Sequence, residues 1–169
     1  MTESRQLLIM RHGKSDWSVQ ASDFHRPLKK RGEKAAKKIG YWLSNQAKNK
    51  PDLIISSPAE RAISTALIVS DALPGVELEL DDRLYNTELD YLLQVLSELP
   101  DTVQRPLIVG HNPSLEELLL YLAKVPDDVY KDWKLLTTGT IAILKISCQW
   151  SELTEHCGKF SKLLRGRDL

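Results

Sequence analysis

The sequence predicts a three-layer α/β/α sandwich with a mostly parallel central sheet. Two observations carry that prediction. Short apolar runs recur along the chain, among them Leu7-Leu8-Ile9-Met10, Leu53-Ile54-Ile55 and Pro106-Leu107-Ile108-Val109, and amphipathic helical periods alternate with them. Runs of about four apolar residues suit strands buried on both faces, and strands that alternate with helices build parallel sheets with a helix layer on each side.

Taken in order, the first strand stops at Arg11-His12-Gly13, where glycine lets the backbone turn. A polar surface loop then runs to Leu28. From Lys29 to about Ala47, apolar Ala35, Ala36, Ile39, Trp42 and Leu43 recur at three- and four-residue steps, predicting an amphipathic helix. Its lysines read as a solvated face rather than as a docking patch for an acidic partner. Leu53 to Ser56 is the second strand. Ser57-Pro58-Ala59-Glu60 has capping-box spacing and a proline suited to a first helical position, so a helix is expected from Pro58 to about Leu73-Pro74-Gly75. Val76 to Leu80 alternates strictly and reads as a strand near an edge.

A third helix is expected from Thr87 or Glu88 along Leu89, Leu92, Leu93, Leu96 and Leu99, with Pro100 ending it. Pro106 to Val109 is the fourth strand, after which Asn112 as N-cap and Pro113 at the first position would open a fourth helix. Residues 123–136 carry no period. Thr140 to Ile146 is a long strand candidate, and the tail suggests a turn and a short edge segment over Phe160 to Leu164.

Length and composition narrow the function classes. A chain of 169 residues fits a single domain spanning 1–169. Lys plus Arg and Asp plus Glu both total 23, so no net field favours nucleic acid or an anionic membrane surface, and an anion site must be made locally. No apolar stretch approaches the roughly 20 residues of a membrane span, and the first residues lack a signal-peptide core, so a cytoplasmic protein is expected. Cys148 and Cys157 have no zinc-type spacing and are too few for a disulfide framework. With no HExxH, His12, His25, His111 and His156 do not form a metal motif, and no metal or other cofactor is expected.

Parallel strands present their C-terminal ends along one sheet edge, where ligand crevices of open α/β sheets lie. The first strand brings Arg11 and His12 there, the second leads to Arg61, and the fourth ends at His111. Arg61 falls in the first turn of a helix, where the dipole disfavours a cation by roughly 0.3–1 kcal/mol. A bound anion would compensate, and so would a carboxylate such as Glu60 or Asp52. Guanidinium groups bind phosphate oxygens bidentately, and a neutral imidazole whose other N–H is held can attack phosphorus.

These residues resemble a known family. Met10-Arg11-His12-Gly13, Ser56-Ser57-Pro58-x-x-Arg61-Ala62 and Gly110-His111-Asn112 resemble, in order and context, the histidine phosphatase (phosphoglycerate-mutase-like) superfamily. Arg26-Pro27-Leu28 followed by Arg31-Gly32, and Arg83-Leu84-Tyr85, look most like its SixA-type phosphohistidine phosphatase branch. The resemblance implies that His12 is a nucleophile that becomes phosphohistidine, and that Arg11, Arg61 and His111 form the phosphate pocket. It implies a metal-independent phosphatase acting on a phosphohistidine-bearing protein, for example a histidine phosphotransfer domain, or on a small phosphorylated substrate.

Members acting on phosphomonoesters use a carboxylic acid, and often an Asn a few residues after RHG; Ser18 stands at roughly that place here. Glu88 is the first candidate acid, with Asp16 and Asp23 behind it. An alkoxide needs such an acid, a contribution of about 10²–10⁴-fold, whereas imidazole can leave neutral once its other nitrogen is protonated. The lack of an evident acid therefore leans toward P–N substrates. A small-molecule phosphomonoesterase and a non-catalytic phosphate-binding module remain the alternative readings.

Overall fold

A computed structural model describes residues 4–169. Its elements are β1 (Arg5–Arg11), α1 (Lys30–Ser44), β2 (Leu53–Ser56), α2 (Glu60–Asp71), β3 (Glu77–Leu80), α3 (Leu89–Ser97), β4 (Pro106–Gly110), α4 (Ser114–Leu122), β5 (Thr140–Ile146) and β6 (Gly158–Arg165). They form a six-stranded sheet in the order β3-β2-β4-β1-β5-β6.

Strand periodicity sorts the core into two layers. Leu8, Met10, Ile54, Leu107 and Val109 face α1 and α2, packing on Ile39, Leu43, Ala62, Ala66 and Val69. Leu7, Ile9, Ile55 and Ile108 face the other way, onto Leu92 and Leu96 of α3 and Leu115, Leu118 and Leu119 of α4. The apolar runs are buried because both faces are covered. Removing one such leucine side chain would cost about 2–5 kcal/mol.

The β2-β4-β1 core is parallel, with Arg11 opposite Gly110 and Ser56 opposite Val109. That register brings three strand ends level. His12 N donates to Gly110 O at 3.0 Å and Ser57 N to Val109 O at 2.9 Å, so His12, Ser57 and His111 each follow the last residues of adjacent strands.

Four local expectations change. β5 runs antiparallel to β1, and β6 antiparallel to β5, because the 123–139 connection returns without a crossover helix. β6 spans eight residues, longer than the edge segment expected over Phe160 to Leu164. α2 begins at Glu60 rather than Pro58, and no capping box forms: Ser57 Oγ accepts from Ala59 N at 3.2 Å, while Glu60 N bonds Phe24 O. α4 begins at Ser114, after a cis Asn112–Pro113 bond. Asn112 does not cap it, since its side-chain amide donates to Glu116 Oε2 and Leu136 O instead.

Candidate active site

The level strand ends set His12 beside His111, with ring centroids 5.1 Å apart. His12 is buried, and its Nδ1 lies 2.7 Å from Gly13 O. A carbonyl oxygen only accepts, so Nδ1 carries the proton. Nε2 is then the unprotonated nitrogen, and Arg61 Nε donates toward it at 3.4 Å. Burial, with His111, Arg61 and Arg11 nearby, pushes His12 down to about 3, although the Gly13 bond works in the opposite sense. The imidazole is therefore neutral at physiological pH, with an available lone pair on Nε2.

The turn after His12 is fixed from both sides. Gly13 N donates to Thr65 Oγ1 at 2.9 Å, and Thr65 Oγ1 donates to Arg61 O one helical turn back. Across the turn, a Cβ on Gly13 would stand 2.7 Å from Gly32 O, so a side chain there would push α1 away.

Arg61 lies in the first turn of α2 and is buried, and its compensating partner is Asp23 rather than Glu60 or Asp52. Arg61 Nη1 donates to Asp23 O at 2.6 Å and Nη2 to Asp23 Oδ2 at 3.2 Å. The same carboxylate accepts from Tyr85 Oη at 2.6 Å and from Arg26 Nη2 at 2.9 Å. The Tyr85 hydroxyl, then Arg26 and Arg61, hold Asp23 down at about 2, against a partial desolvation that acts upward. Asp23 is ionised at neutral pH. Arg26 is fixed in turn by Ser15 Oγ at 3.1 Å and by stacking 3.6 Å from the Trp17 ring.

His111 Nε2 lies 2.7 Å from Ser57 Oγ, and Tyr85 packs edge-on against its ring. Burial, with Arg61 second, pushes His111 down to about 4. Arg11 donates from Nη1 to Leu136 O at 3.1 Å, and its charge acts on both histidines; burial lowers Arg11 itself, with Glu116 acting upward and Arg61 downward. Arg11 Nε and His111 Nδ1 are buried without a hydrogen-bond partner among the described residues. The cluster thus combines a neutral, oriented imidazole with guanidinium groups, the chemistry that binds a phosphoryl group and attacks it.

Arg11, His12, Arg61 and His111, singled out from the sequence, come together. Glu88 is exposed at the start of α3, and no hydrogen bond or ion pair of its side chain, to these four residues or elsewhere, is seen among the described residues. Asp16 accepts from Ser18 N and Oγ, so these two residues bond each other. Tyr85 and Ser57 were not among the residues singled out, although both stood inside the quoted motifs. Among the described residues, no three His, Cys, Asp or Glu side chains converge as a metal-ligating group, and no helix is long and apolar enough to cross a membrane.

This fold and this cluster define an α/β class with histidines and arginines gathered at the strand ends, and comparison with known proteins identifies the family. The chain belongs to the histidine phosphatase superfamily (branch 1), whose sequence model matches residues 7–94. It is similar to SixA phosphohistidine phosphatases over nearly its whole length. A structure of the protein histidine phosphatase SixA complexed with tungstate superposes with a TM-score of 0.78 at 26% identity, covering 96% of this chain and 98% of that one. A protein described as SixA from Nakamurella multipartitia gives 0.83 at 23% identity and 97% of each chain. An uncharacterized protein of Mycobacterium tuberculosis is 29% identical over 154 residues, covering 88% of this chain and 94% of its own.

Proposed function

We propose that the protein is a phosphatase that hydrolyses phosphohistidine on a protein, through a covalent phosphohistidine intermediate on His12. The observation that carries this reading is the state of the carboxylate at the cluster. Asp23, bonded to Arg61, Arg26 and Tyr85, is ionised and has no proton to give an alkoxide. Imidazole needs no such acid.

In the first step His12 Nε2 attacks phosphorus in line, and the P–N bond of the substrate breaks. The electron pair returns to the substrate nitrogen, which leaves as neutral imidazole because its other nitrogen carries a proton. Arg11, Arg61 and His111 bind the equatorial oxygens. His12 keeps its Nδ1 proton on Gly13 O throughout. In the second step water attacks phosphorus, the Nε2–P bond breaks, and its electron pair restores the original neutral tautomer. Inorganic phosphate and a proton leave. One hydrogen bond thus serves both steps, orienting the nucleophile first and improving the leaving group second.

The likeness to SixA supports the substrate class. For a phosphomonoester the candidate acid is Glu88, and one observation favours keeping that alternative: Glu88 follows the Tyr85 segment that already reaches Asp23. Incubation with a labelled phosphohistidine protein is expected to give an acid-labile, alkali-stable phosphoenzyme that His12→Ala does not form. Turnover of a phosphohistidine protein, compared with a panel of monoesters, decides between the two substrate classes. Loss of monoester turnover alone in Glu88→Gln would favour the monoesterase. Phosphate binding with neither labelling nor turnover would make the chain a binding module.

A further inference from the structure

Beside the His12 cluster lies a cavity of about 450 Å³ lined by Arg11, Lys14, Arg31, Lys134 and Arg167. Among the described residues, no carboxylate belongs to its lining. The cavity adjoins the site directly: Arg11 precedes His12, and Gly139, next to the lining residue Thr138, donates its N–H to His12 O at 2.9 Å. Lys14, Arg31 and Lys134 make no side-chain ion pair among the described residues. Arg167 has only a long contact with Asp168, 3.9 Å away, and Lys131 shares that carboxylate at 3.9 Å. Arg31 also sits in the first turn of α1, where the helix dipole adds positive potential.

Five cations around one cavity repel each other unless an anion comes between them. The rim indicates the size of that anion's carrier. Trp133, adjacent to Lys134, is 97% exposed, in a turn closed by reciprocal Lys131 and Lys134 backbone bonds of 2.9 Å. Asp132 and Trp133 both have left-handed backbones, with φ of +50° and +63°, the geometry for which such turns ordinarily take Asn-Gly. An indole held out in solvent beside a charged pocket is an anchor for a polypeptide, since tryptophan and cationic side chains are common interface hot spots. A small phosphorylated metabolite would reach the pocket but leave the indole unused.

We propose that this basic pocket and the Trp133 turn dock an acidic segment flanking the phosphohistidine of a protein substrate. The pocket takes carboxylates on that segment while the phosphoryl group occupies the His12 cluster. The inference rests on the function proposed above and adds a sequence preference to it: carboxylates next to the phosphorylated histidine favour turnover.

The test uses two synthetic phosphohistidine peptides, one with flanking glutamates and one with flanking glutamines, and free phosphohistidine as a substrate without flanks. The wild type is expected to show a KM about tenfold lower for the glutamate peptide, a difference that shrinks as salt is raised. Arg31→Ala/Lys134→Ala/Arg167→Ala and, separately, Trp133→Ala are expected to raise that KM while leaving turnover of free phosphohistidine unchanged. Equal KM values for the two peptides in the wild type would overturn the docking inference, as would loss of free phosphohistidine turnover in step with the peptide. A parallel binding measurement uses the same peptides carrying a non-hydrolysable phosphoryl analogue. If turnover is absent but the glutamate peptide still binds about tenfold more tightly to wild type than to the triple variant, the catalytic reading fails and the docking surface stands; equal binding overturns the docking surface as well.

Discussion

Arg61 Nε points at His12 Nε2 across 3.4 Å, while Gly13 O holds the opposite ring nitrogen at 2.7 Å. A cation and a neutral imidazole are thereby locked face to face. Direct protonation of Nε2 would set an imidazolium against a guanidinium in a buried site, and burial already disfavours that charge.

Stability should therefore fall as the solution is acidified. The unfolded imidazoles titrate near 6.5, whereas folded His12 and His111 are held at about 3 and about 4. Between those limits the unfolded chain binds protons that the folded chain refuses. The stabilisation is complete above about 6.5 and is lost as pH falls, at about 1.4 kcal/mol per pH unit for each histidine. Urea denaturation at about pH 7, 6 and 5 measures the slope, which His111→Asn should reduce. A wild-type midpoint unchanged between about pH 7 and 5 would contradict the buried, neutral assignment.

Asp23→Asn should separate kcat from KM. The carboxylate orients Arg61 and Arg26 but also adds negative charge to a site that binds anions. Its loss is expected to lower kcat about tenfold while KM stays level or falls, because ground-state anion attraction increases. The Tyr85 phenol, raised by its bond to Asp23, should titrate lower in the variant, as ultraviolet titration against Tyr85→Phe would reveal. Unfolding would also bring Tyr85 down, so the titration is read on a variant whose circular dichroism matches the wild type.

Ser57→Ala removes one hydroxyl from two roles, the contact with His111 Nε2 and the acceptor for Ala59 N. Loss of the helix-start bond is expected to cost about 1 kcal/mol of stability. Freeing the His111 ring should lower kcat/KM roughly tenfold. Thermal denaturation and steady-state kinetics check the two effects; unchanged kinetics would show that His111 is positioned without Ser57.

Gly32→Ala should damage the site from outside it. A Cβ at Gly32 would strike the Lys14 backbone, two residues after His12, and backbone cannot swing aside as a side chain can. The expected cost is about 1–3 kcal/mol, accompanied by reduced phosphate affinity as the turn after His12 shifts. Phosphate titration in a variant still folded by circular dichroism reads the second effect. Wild-type affinity would mean that α1 is free to yield.

Sequence alone determined the layer architecture and the four residues Arg11, His12, Arg61 and His111, because each is tied to a local signal: an apolar run, its end, and a Gly or Pro after it. Parallel pairing then needs only strand adjacency to bring those ends together, and the β2-β4-β1 order supplies it. Tertiary structure decided what local signals do not encode. Asp23 meets Arg61 across 38 residues and Tyr85 across 62, joining a loop, a helix start and a second loop whose sequences show no common period. The antiparallel course of β5 and the start of α4 were likewise settled at a distance, by pairing with β1 and by the bond from Asn112 to Leu136 O. Propensity names the residues that can cap or pair. The partner that reaches them through space determines whether they do.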